Sequence, residues 1–189
     1  MADKLKQYIG SKAVRRYMLL DLIATVGLVC EFIAFEYSVL KMLRYLILIQ
    51  ALFVIAWKDS KEHLISNKHL AILFGIRTIL LICECIVYPT YGLSIFLSTL
   101  LGLVIGAGVF GLCYLISRGG MGSGDVKLMG VLGYYLGGSA IMPVMILIVS
   151  ASGLYSIVNL ILKKTSLKTE IPFGPFVLIG TLLGMALGV

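Results

Sequence analysis

The chain has 189 residues, of which 60% are hydrophobic and 13% charged, with a formal net charge of +7 and a mean hydropathy of +1.04. That balance excludes a water-soluble globular protein and predicts an all-α, polytopic membrane helix bundle. No long polar segment lies outside the apolar runs, so one domain over residues 1–189 is expected.

Seven apolar runs follow in order, at about 17–39, 42–57, 69–88, 91–116, 126–137, 140–162 and 173–189. Basic residues precede the first run as they would in a signal peptide, but no clean small-residue cleavage site follows, so the run is expected to stay as a membrane helix. The fifth run is too short to cross a bilayer alone. It is expected to gain length from Asp125 and the Gly137-Gly138 turn, or to stop short of the far surface.

Orientation follows from the basic residues, which gather in cytoplasmic loops. Lys4, Lys6, Lys12, Arg15, Arg16, Lys58, Lys61, Lys68, Arg118, Lys127, Lys163, Lys164 and Lys168 fall on one side, Lys41 and Arg44 on the other, and Arg77 within a helix. This predicts a multi-pass protein of the cytoplasmic (inner) membrane with its N-terminus inside. Attraction to anionic headgroups accounts for the positive charge, so the lipid bilayer is the implied partner and no nucleic acid is required.

Ionisable groups within apolar runs are functional candidates by default. Asp21, Glu31 and Glu36 lie in the first run, and Glu84 lies two turns from Arg77 in the third. An ion pair between Arg77 and Glu31 or Glu84 is expected, with Glu36 and Glu84 near the outer surface. Cys30, Cys83, Cys85 and Cys113 form no CxxC pair and read as small core hydrophobes. His63 and His69 lack a ligand spacing, so neither metal nor cofactor is predicted. The G-x-x-x-G spacings of Gly102 and Gly106, and of Gly180, Gly184 and Gly188, predict close helix packing.

Two acids stand apart. Asp59 closes the second run, and Asp125 opens the fifth after Gly119-Gly120-Met121-Gly122-Ser123-Gly124. The glycines are expected to supply positive φ and close approach, delivering Asp125 to the mouth of a helix. Taken singly, Asp125 also reads as a helix cap and Asp59 as a surface acid paired with Lys58 or Lys61. The charge count brings both to the cytoplasmic face. There a carboxylate pair sharing a proton can activate water and protonate an amide carbonyl without a metal.

Gly122-Ser123-Gly124-Asp125, followed by Val126-Lys127-Leu128, resembles the GxGD signature of the bacterial type IV prepilin peptidases, which are membrane aspartyl proteases. Asp59, with Ile65-Ser66-Asn67 after it, resembles that family's other catalytic aspartate and its Ile-Pro-Asn, with Ser66 in place of proline. Ile171-Pro172-Phe173-Gly174-Pro175-Phe176 matches a third family stretch. The resemblance covers about 45–189, leaving 1–44 as an N-terminal segment and one helix additional to a six-helix peptidase core. It implies Asp59 and Asp125 as the catalytic acids, with Gly122, Gly124, Lys127, Asn67, Pro172 and Gly174 shaping the site or holding substrate. The implied reaction is removal of the basic leader of prepilins or pseudopilins, after a glycine and before the hydrophobic helix. Nothing corresponds to the paired CxxC motifs of larger members, so N-methyltransferase activity is not expected. Pro172 and Pro175 predict a rigid extended turn bordering the site. The alternative function is a proton- or cation-coupled carrier using Asp59 and Asp125.

Overall fold

The computed structural model describes residues 12–117, 121–162 and 171–188. Among these are seven helices and no strand: α1 Lys12–Ala34, α2 Val39–Glu62, α3 Asn67–Val87, α4 Gly92–Ser117, α5 Ser123–Leu136, α6 Gly138–Ile161 and α7 Gly174–Ala186. The chain is a multi-pass helical membrane protein in which α1, α2, α3, α4 and α6 are long and apolar enough to span. Helices suit that setting because each satisfies its own backbone N–H and C=O groups where no water can.

The other two helices are short. At 14 and 13 residues, α5 and α7 measure roughly 20 Å at 1.5 Å per residue, against about 30 Å of bilayer hydrocarbon. The fifth apolar run thus gains only Ser123, Gly124 and Asp125 at its start. It ends at Gly137, whose φ of +88° and ψ of 172° suit a residue without Cβ and let α6 begin at Gly138. The first run likewise ends early, at Ala34, because Glu36 takes a left-handed φ of 51° and turns the chain into α2.

Small residues bring backbones together at the centre. A Cβ on Gly102 would strike the carbonyl of Gly133, one on Gly133 that of Gly102, and one on Gly106 that of Met129, so α4 and α5 cross in backbone contact. Gly180 and Gly184 set α7 against Ile148 and Val144 of α6. Gly188 does no such packing, since it lies beyond the helix with open space around it.

The ionic core joins four helices. Arg77, fully buried on α3, donates from Nη1 to Glu84 at 3.0 Å, from Nη2 to Thr99 of α4 at 3.0 Å, and from Nε to the Tyr134 carbonyl of α5 at 3.0 Å. Arg44 of α2 reaches the other oxygen of Glu84 at 3.3 Å. Of the two acids expected to pair with Arg77, Glu84 does so; Glu31 Oε1 is buried with no partner among the described residues. Glu84 is therefore 4% exposed, in the last turn of α3, whereas Glu36 is exposed, in the turn between α1 and α2. Helix α1 is the peripheral member, with 11% of its most apolar stretch buried against 39% for α2. Tyr17, whose hydroxyl donates to the Phe53 carbonyl at 2.7 Å, ties it to α2.

Candidate active site

Asp59 is the last residue of a buried stripe on α2. Tyr45, Leu48, Ile49, Leu52, Phe53, Ile55, Ala56 and Asp59 recur at three- and four-residue steps and face the bundle. The apolar run stops at Trp57, but the helix continues to Glu62 and so turns the Asp59 side chain inward, leaving it 4% exposed. The surface-acid reading of Asp59 fails for the same reason. Lys58 pairs instead with Glu62, at 3.7 Å. The Asp59 carboxylate accepts the N–H of Gly174, at the start of α7, over 2.7 Å.

That contact corrects the expected extended turn. Phe173 has helical φ and ψ, Gly174 opens α7, and Pro175 occupies its first turn, where a missing N–H costs no helical hydrogen bond. Gly174 is small because it must be: a Cβ there would lie 3.1 Å from both Cβ and Oδ2 of Asp59 and 3.2 Å from the Ala56 backbone. Pro172 is half-buried at the approach to this turn.

Asp125 lies in the first turn of α5, half-buried and outside the spanning helices. Its Oδ2 accepts the Gly122 N–H at 3.3 Å, and its own N–H bonds the Gly122 carbonyl at 3.1 Å. Burial, and then the negative charge of Asp59, raise the Asp125 pKa to about 6, with the Gly122 N–H pulling the other way. The expected positive φ is not used at Gly122, which sits at −73°, or at Gly124, inside α5. Their smallness has another use. A Cβ on Gly122 would come within 3.2 Å of the Asp125 carboxylate, and one on Gly124 within 3.1 Å of Ile65. Gly119 and Gly120 lie outside the described residues.

The rim is polar. Lys127 Nζ donates to Asn67 Oδ1 at 3.1 Å, linking the start of α5 to the start of α3. Asn67 and Lys127, far apart in sequence, thus meet each other rather than either aspartate. Ile65, the first residue of the Ile65-Ser66-Asn67 stretch, forms the stop against which Gly124 packs. Among the described residues no group of three or more His, Cys, Asp or Glu side chains gathers as a metal site.

Fold and site together define a helical membrane protein with two carboxylates, Asp59 and Asp125, at one end of its bundle, the charge of the first acting on the second. The sequence pattern of the type IV leader peptidase family matches residues 46–158, and the chain belongs to that family. The prepilin leader peptidase/N-methyltransferase of Escherichia coli (strain K12) is 32% identical over 101 residues, which cover 50% of this chain and 44% of that protein. The match therefore spans less than half of the relative's length. No solved structure matches the chain. The family match includes Asp59, Asn67, Gly122, Gly124, Asp125 and Lys127 and ends before Pro172 and Gly174. Gly174 is tied to the site by its hydrogen bond to Asp59.

Proposed function

We propose that the chain is a membrane aspartic endopeptidase that removes the basic leader from prepilins or pseudopilins, with Asp59 and Asp125 as the catalytic pair. The carrying observation is that Asp125 feels the charge of Asp59, although the two come from helices 66 residues apart in sequence. Family membership supports the peptidase class, and the name of the Escherichia coli relative supports the substrate class. In this reading one carboxylate takes a proton from water as its oxygen attacks the scissile carbonyl. The other donates a proton to the carbonyl oxygen, and the tetrahedral intermediate then collapses with proton transfer to the leaving amine. Asp125, with its raised pKa, is the member suited to carry the shared proton. Gly174 orients Asp59, Gly122 orients Asp125, and Asn67 with Lys127 holds the rim.

The site faces the cytoplasm of an inner-membrane protein whose N-terminus is inside, and cleavage follows a glycine just before the substrate's hydrophobic helix. Support comes from Lys12, Arg15, Arg16, Lys58, Lys61, Lys68 and Lys127, which lie at the Asp59 end, whereas Lys41 and Arg44 lie at the other. The peptidase unit is one membrane-embedded domain with residues 45–189 as its core. The carrier alternative has less support, since both aspartates sit at one end and Glu84, farther along the bundle, is committed to two arginines. The test is processing of a prepilin by purified protein in lipid, with chelator present. Wild type should release a leader-sized fragment, and Asp59→Asn and Asp125→Asn should not. Full cleavage by either variant overturns the dyad. Reporters fused after residues 65 and 90 should behave as cytoplasmic and external; the reverse pattern overturns the orientation.

A further inference from the structure

We propose that the cavity at the end of the bundle opposite the two aspartates binds a phosphate group. The cavity, of about 430 Å³, exists because α5 stops at Leu136 and the chain turns through Gly137 into α6 before reaching that end. Its size falls in the range of small-molecule sites. Every ionisable side chain with a formal charge on its wall is a cation, namely Lys41 and Arg44, and no carboxylate is among the lining residues.

The Lys41 ammonium lies 3.7 Å from the centre of the Tyr37 ring and has no carboxylate partner among the described residues. Arg44 uses Nη1 on Glu84, while its buried Nε has no partner there. Behind the wall, Glu84 is shared between Arg44 and Arg77. Arg44 and Arg77 thus share one acid, Glu84, and Lys41 adds a further positive charge; Glu31, near Tyr37, is the other acid close by, so cations are in surplus.

Uncharged donors complete the lining. Ser94, Ser98, Thr99 and Ser139 all border the space. Ser98 and Thr99 accept hydrogen bonds from Gly138 N–H and Arg77 Nη2, which leaves each hydroxyl proton free to donate. The 24-residue helix α6 also begins on this wall, its positive end near the cations. Two cations, several hydroxyls and a helix start, with no acid on the wall, match a tetrahedral oxyanion. Two sources supply that chemistry at a bundle end in a bilayer: the headgroup of an anionic phospholipid and a free phosphate ester.

The experiment uses the full chain purified in detergent. Native mass spectrometry compares retention of phosphatidylglycerol with that of phosphatidylcholine of the same acyl chains, and thermal shift is read with inorganic phosphate and glycerol phosphate. At least one phosphate arm should respond: preferential retention of phosphatidylglycerol alone assigns the headgroup, and stabilisation by a soluble phosphate assigns the free ligand. Lys41→Gln should weaken the responding arm by about tenfold, the loss expected for one charge-assisted contact, and Ser139→Glu, which sets a repelling negative charge on the wall, by at least as much. Lys58→Gln, at the Asp59 end, should leave it unchanged. Neither cavity variant removes a partner from a buried ion pair, so both are expected to fold. Equal retention of the two lipids with no response to either soluble phosphate overturns the proposal. So does an unaltered response in both cavity variants.

Discussion

The two ends of the bundle handle buried carboxylates in opposite ways. Glu84 is saturated, with an arginine on each oxygen at 3.0 and 3.3 Å and a fully buried Arg77 whose other nitrogens are themselves bonded. Asp59 and Asp125 receive only backbone N–H groups, from Gly174 and Gly122, and no cation pairs with either among the described residues. A carboxylate held by two cations serves as a brace. Carboxylates that receive only neutral donors are not committed to a cation, which leaves them open to acid and base chemistry.

The contrast can be broken most strongly at the aspartates. Asp59→Asn and Asp125→Asn should each lower leader cleavage by roughly 10²- to 10⁴-fold, and the double variant should lose little more because the pair acts as a unit. Multiplying losses, measured as initial rates of prepilin processing, would refute the coupling. At the other end the effect should fall on folding. Arg77→Met leaves Glu84 with one partner and should cost about 3 kcal/mol or somewhat more, read by denaturant titration in micelles, while cleavage per folded molecule is largely kept.

Gly174→Val tests the link between α7 and Asp59. The added Cβ meets Asp59 and the α2 backbone at 3.1 and 3.2 Å, so α7 must shift and drag the donor with it. A loss of up to roughly 10²-fold in cleavage is expected, as for other small misplacements of reacting groups, with the protein still in the membrane. Unchanged turnover would mean that α7 does not position Asp59.

The smallest effect is a pH signature. Because the folded Asp125 pKa is raised, to about 6 from 3.8, the native state binds the proton more tightly than the unfolded chain. Asp125 therefore costs stability as pH rises from about 4 through 6. Asp125→Asn should be more stable than wild type at pH 7, by about 1–3 kcal/mol, and the gap should close below pH 4. A pH-independent difference would mean that Asp125 is not proton-coupled. At the far end, Glu84→Gln should destabilise the protein with no such gain at neutral pH.

Much of this contrast was legible in the sequence. The apolar runs and the glycine spacings of α4 and α7 are local patterns, and each maps onto a helix or a helix contact. The Gly122-Ser123-Gly124-Asp125 stretch marked the second acid, and the two-turn spacing from Arg77 made Glu84 one of its two candidate partners, with Glu31 the other. The inward direction of Asp59 was also readable, since it continues the α2 stripe that begins at Tyr45. It was obscured because hydropathy ended the run at Trp57 while the helix continued for five more residues.

Local sequence by itself determined the helices, their number among the described residues and the end of the bundle at which most of the described basic residues gather, because hydrophobic length and charge bias act residue by residue. Tertiary structure alone decided which side chains meet. Gly174 reaches Asp59 across 115 residues and Lys127 reaches Asn67 across 60. Arg44 joins Arg77 on Glu84, and the cavity beyond Leu136 opens where a short helix leaves space. These facts depend on how far each helix slides along its neighbours. That register is set by backbone contacts such as Gly102 on Gly133, which no single segment contains.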